Sequence, residues 1–137
     1  MTGTAGTARQ ALGTFTVDRF ESLESDERDG RGISRARLGK TFRGDLEGSG
    51  EVEMLAVSIG DAPAAYVALE RVVGSLGGRS GGFILQHTAT AAAQTQALNV
   101  AVVPGSGFGA LSGLHGRFVI DVAPDGGHAY TFDYELS

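Results

Sequence analysis

VVPGSGFGALSGLHG, residues 102–116, carries five glycines directly behind the apolar run LNVAVV. Gly105-Ser106-Gly107-Phe108-Gly109-Ala110 fits the GxGxxG/A spacing of a dinucleotide-binding turn, and Asp125 lies at a plausible distance for a ribose-binding acid. That reading would make the chain an α/β protein, because such a turn must open a helix whose N-terminus holds the pyrophosphate. The neighbouring residues oppose it. Gly113 and Gly116 would interrupt the helix in its first turns, Pro104 stands where a tight strand-to-helix turn is needed, and Asp125 sits in a Pro-Asp-Gly-Gly turn. The stretch reads instead as a wide, glycine-bulged connection between strands, with Leu111 and Leu114 tucking it onto the core.

Outward from this segment the chain keeps a period of two. Strands are expected over Leu12–Glu21, Ile33–Arg43, Val52–Ile59, Ala64–Val73, Gly82–Ala92, Gln96–Val103, Arg117–Val122 and His128–Leu136. SLESDERDGRG reads as an exposed loop, GDLEGSG as a tight corner and GSLGGRSGG as a hairpin loop; the turn after Ala92 lies within AAAQT. A helix over Pro63–Val73 competes with the fourth strand, but the Val72-Val73 pair and the glycines after it favour β. Eight short strands separated by regular turns predict an all-β, eight-stranded antiparallel barrel or sandwich rather than βαβ units.

Composition agrees. Glycine is 22 of 137 residues, about twice the usual share, with only three prolines. The length suits one domain, 12–137, behind a disordered lead of residues 1–11 without signal-peptide character, so the cytoplasm is the expected location. A net charge of −5 argues against a nucleic-acid partner, and no basic amphipathic helix or long apolar run points to a membrane. Without cysteine there is no disulfide, thiolate nucleophile or zinc–thiolate site. The three histidines form no HxH or HxxxH cluster, so no metal is expected. Ser106 lies between two glycines, but the GxSxG nucleophile elbow needs glycines two residues before and after the serine, where Pro104 and Phe108 stand.

The opening stretch also resembles the VVPGSGTGEL-x-GL-x-G segment of the DUF3224 family, small bacterial proteins without an assigned activity. LGKTFRGDLEGSGEVE, YVALERVVGSLGGRSGGFILQH and HAYTFDYEL agree with the same family, in order, over nearly all of residues 12–136. The resemblance implies an eight-stranded antiparallel β-barrel similar to allene oxide cyclases. Several positions depart from the family pattern. Phe20 replaces a usual Trp, Ser22 a common acid, Phe108 a Thr and Ala110 a Glu, while Val100 lies near a frequent Trp. If Phe108 and Ala110 line a cavity, this chain has a more apolar pocket than its relatives; otherwise they are surface drift.

A small barrel either fills its interior or holds one small ligand. Glu70 is the leading candidate for chemistry. It lies mid-strand on the face of Tyr66, Ala68 and Val72, and is read either as a general acid or base or as a structural partner of Arg35 or Arg37. His87 shares the face of Phe83 and Leu85, Gln86 that of Ile84, and alternation lets only one of them point inward. Arg35, Tyr66, Gln86, Phe108, Tyr130 and Tyr134 complete the candidate ligand-binding set; Tyr130 and Tyr134 share an aromatic face with Phe132. The expected function is a cofactor-independent isomerase or cyclase for a small, largely apolar, natural-product-like molecule. The rivals are a binding protein without chemistry (carrier, sensor or resistance factor) and a filled barrel serving as an oligomeric scaffold. Self-association is expected in each case, through a face such as that of Val67 and Leu69.

Overall fold

The computed structural model describes residues 8–92 and 95–137. Among these residues nine strands follow one another: β1 (Arg9–Arg28), β2 (Arg31–Gly44), β3 (Leu46–Ile59), β4 (Ala62–Leu76), β5 (Arg79–Ala92), β6 (Thr95–Val102), β7 (Phe108–Gly109), β8 (Leu114–Val122) and β9 (His128–Leu136). All pairings are antiparallel, in the order β4-β3-β2-β1-β9-β8-β6-β5-β7. A further β4–β5 ladder joins Ala65–Leu76 to Arg79–Thr90, so eight strands form a ring closed by hydrogen bonds. The two-residue β7 adds a short ladder against Gly81 and Gly82. No helix occurs among the described residues, and none there is long and apolar enough to cross a membrane.

Two-residue turns set the registers. Asp29 and Gly30 both have positive φ (53° and 74°), as do Gly77 and Gly78 (57° and 84°). This backbone twist matches that of the flanking strands, which explains Asp-Gly and Gly-Gly at the β1–β2 and β4–β5 hairpins.

Three sequence expectations change. SLESDERDGRG is not a loop: β1 continues to Arg28 and pairs with β2 as far as Arg28↔Arg31. Residues 16–28 are exposed on both faces, so no burial pattern marks them as a strand; backbone pairing to β2, through two bulges, holds them extended. The GDLEGSG corner shrinks to Gly44-Asp45, because Gly48 and Gly50 lie inside β3. Gly48 is there for close approach: a Cβ would stand 2.2 Å from the Val73 carbonyl oxygen. The GSLGGRSGG loop likewise narrows to Gly77-Gly78, whereas the strand expected over Ala64–Val73 is present as β4 and the competing helix is not. Residues 1–7 of the expected lead, and 93 and 94 of AAAQT, lie outside the described residues, while Arg9–Ala11 already pair with β9.

Alternation sends Phe15, Phe42, Val52, Val72, Phe83, Leu85, Val100, Phe118, Tyr130 and Phe132 into the ring. Aromatic contacts dominate one half: Phe118 stacks on Phe132 at 4.1 Å between centroids, and Phe132 on Tyr134 at 5.1 Å. That end is closed by residues 103–113, whose Leu111 is 0% exposed. No helix follows the glycines of the opening stretch. Ser106 instead hydrogen-bonds Ile84, accepting its N–H at 3.0 Å, and donates to the Val103 carbonyl at 2.7 Å.

The opposite end is open. Strands β8 and β9 have nine residues each, whereas β1–β5 have 14 to 20. β9 pairs with β1 only from Arg9 to Phe15. The wall of β1–β5 therefore stands taller than the rim opposite. Residues on its inner register, and at the facing rim, stay accessible there: Phe20 is 60% exposed and Val122 65%.

Candidate functional site

Where the filled half of the ring meets the open half, three ionisable side chains converge. Lys40 comes from β2, Glu70 from β4 and His87 from β5, each on the inward register of its strand. Glu70 is 0% exposed and His87 3%. Glu70 Oε1 lies 2.8 Å from His87 Nε2 and accepts a hydrogen bond from Lys40 Nζ at 3.2 Å. A buried carboxylate is tolerable only when donors replace its lost water, and Oε1 has two. The Lys40 ammonium also lies 4.7 Å from the centre of the Phe15 ring, a cation–π contact that compensates further desolvation.

Oε2 is different: it is buried and without a hydrogen-bond partner. It lies over Gly50, where a Cβ would stand 2.2 Å from Oε2 and 2.9 Å from the Phe42 ring. Gly50 thus vacates the space this carboxylate occupies.

The Glu70 contact also fixes the imidazole. A neutral His87 must place its proton on Nε2 to donate to Oε1, which leaves the lone pair on Nδ1. Among the described hydrogen bonds, His87 makes only the one through Nε2. The Tyr66 ring lies beside it, 6.5 Å between centroids. Burial raises the Tyr66 pKa above its usual 10.0 and the Glu70 charge adds to the effect, so Tyr66 is an O–H donor at neutral pH.

Further toward the open end is a cavity of about 430 Å³, lined by Met54, Ala56, Tyr66, Ala89 and Leu98 among others; Tyr66 links it to the cluster, while Lys40, Glu70 and His87 do not form its wall. Its walls are almost wholly apolar, and its size falls within the range of small-molecule sites.

The expected site residues separate into three groups. Glu70, His87 and Tyr66 come together. Arg35 and Gln86 lie on the outer register, Arg35 paired with Glu24 at 3.7 Å, so it is His87 that faces inward. Neither expected partner of Glu70 reaches it: Arg37 bonds Glu53 across the outer face at 3.2 Å. Phe108, Tyr130 and Tyr134 belong elsewhere. Phe108 covers Gly82 from outside, near the closed end, and Ala110 is exposed, so neither lines the cavity. The Tyr130 hydroxyl accepts the Leu46 N–H at 2.9 Å and faces the Arg43 and Leu46 carbonyls, pinning the β2–β3 turn. Tyr134 packs on Phe132 within the filled half.

Lys40 and Gly50 were missed. Lys40 carries the same signal as Glu70, a charge on the apolar face of Ala36, Leu38 and Phe42. Gly50 is a glycine inside a strand, a mark of close approach. Among the described residues no group of three or more His, Cys, Asp or Glu is placed to hold a metal.

Residues 11–134 match the model of a family described as "Protein of unknown function (DUF3224)". Among solved structures, a protein of unknown function from the same family, from Shewanella oneidensis MR-1, is 34% identical to this chain. The match covers 96% of this chain and 98% of that one, with a TM-score of 0.87. No curated protein matches the chain.

Proposed function

Since the chain belongs to the DUF3224 family, whose description names no activity, its function must be read from its own residues, and we propose a cofactor-independent isomerase or cyclase. In this reading the closed ring is a barrel of the allene oxide cyclase kind, working in the cytoplasm, and its open end seats a small, largely apolar molecule. The observation that carries the reading is the buried His87–Glu70 dyad, backed by Lys40 and joined through the Tyr66 ring to the wall of an apolar cavity.

The chemistry is proton transfer within one molecule. His87 Nδ1 takes a proton from the bound ligand and returns it at another atom, so bonds rearrange with no net redox change. Glu70 holds the ring in the required tautomer and stabilises the imidazolium formed in transit, the role a buried carboxylate plays beside a catalytic histidine. Tyr66 supplies an O–H to a developing oxyanion. The apolar walls hold the ligand in one folded shape, so that orientation provides much of the rate.

A second reading is a carrier, sensor or resistance factor that binds the same class of molecule without changing it. Its support is the near-complete burial of His87 and Glu70, which leaves chiefly apolar wall to touch a ligand. The two readings part on one variant. His87→Gln in an isomerase lowers turnover of a bound compound by about 10²–10⁴-fold while binding persists. If no bound compound is converted by the wild-type protein, the non-catalytic reading stands.

A further inference from the structure

The outer register of β2–β4 carries an apolar stripe that the fold leaves uncovered. Leu69 is 57% exposed, and Ile33, Leu55 and Val67 are also exposed. They are neighbours on one face: Leu55 pairs with Val67 across β3–β4, and Leu69 is the next outward residue along β4. Leu55, Val67 and Leu69, with Leu23 and Gln86, line a groove of about 570 Å³ on the outside of the ring. Large exposed side chains clustered in this way mark an interaction surface.

We infer that this face is where two copies of the chain associate about a two-fold axis. The argument for a second copy is the charge around the stripe. Arg37 and Glu53 occupy the row of Leu69, and Glu51 and Arg71 the next row, while Arg35 pairs with Glu24 on the other flank. Both signs thus border the same apolar residues. A partner of single charge, such as a nucleic acid or a basic tail, would meet like charge on part of this rim. A two-fold copy can set each arginine against a glutamate, because an isologous interface presents one patch to itself. Strand-edge pairing is not the route here: β2, β3 and β4 each have hydrogen-bonded neighbours on both sides, so contact must be face to face.

The test is sedimentation velocity on the full chain from low micromolar to the highest soluble concentration, with melting curves as a folding control. The wild-type protein should sediment at twice the chain mass of 14.1 kDa. Leu69→Glu should sediment as a monomer with its melting temperature essentially retained. Val119→Glu, another exposed apolar position on the far wall, should remain a dimer. If Leu69→Glu disturbs folding, Val67→Lys takes its place with the same expectation. A wild-type monomer throughout overturns the inference, as does a dimer that survives a folded Leu69→Glu and Val67→Lys. A ligand-binding result at the cavity bears on neither outcome.

Discussion

Glu70 accepts two donors on one oxygen and none on the other, so the stability of the cluster depends on keeping it whole. Removing one member strands a buried charge. Lys40→Met should therefore destabilise the fold by about 3–5 kcal/mol in chemical denaturation. The double variant Lys40→Met, Glu70→Leu, which removes both charges, should recover much of that loss; a double variant as unstable as the sum of the singles would show that the charges are not coupled. Gly50→Ala places a methyl group where Oε2 stands and should cost roughly 1–3 kcal/mol through overpacking. Tyr66 contributes in alkali. Its pKa is raised in the folded chain, so as pH rises past 10.0 the unfolded chain ionises first and stability falls. Between about pH 9 and about pH 11, Tyr66→Phe should show a shallower decline in melting temperature than the wild-type protein. An identical slope would remove Tyr66 from the buried environment described. Glu70 was legible in the sequence because a carboxylate mid-strand among apolar neighbours is unusual. Lys40 carried the same mark but went unread because a long aliphatic stem is readily taken to reach solvent; here its ammonium stays with Glu70 and the Phe15 ring.

At the scale of elements, strands with one buried face were legible and those without one were not. β4 alternates cleanly, and its Ala68, Glu70 and Val72 point inward as the period of two requires. The second half of β1 has no buried face to advertise it. Its one strong signal was Asp29-Gly30, the dipeptide of a tight hairpin. Glycine misled in the opposite direction, because the residue that makes turns also permits close contact inside strands, as at Gly48 and Gly50. The 103–113 connection closes the filled end through Leu111, so Leu111→Ala should lower stability by about 2–5 kcal/mol. A change below 1 kcal/mol in urea unfolding would mean that the loop is not part of the core.

The whole molecule divides its interior by side-chain size. Phenylalanine, tyrosine and leucine fill one half; alanine at 36, 56, 68 and 89 leaves room in the other. The division follows from β8 and β9 stopping short while β1–β5 continue, and the ionic cluster marks the boundary. Sequence alone gave all nine strands but the two-residue β7, yet it could not show which half was empty, since that depends on which side chains meet across the ring.

The central claim is that the open half holds a ligand, and a thermal-shift screen tests it most directly. Apolar polyketide-like, terpenoid and fatty-acid-derived compounds would be titrated against the wild-type protein and Ala89→Trp, which fills the cavity. A ligand that binds only the folded chain raises the melting temperature by mass action. The account predicts a saturable rise for at least one compound class, lost in Ala89→Trp. No rise with any compound, or a rise that Ala89→Trp leaves intact, would contradict it.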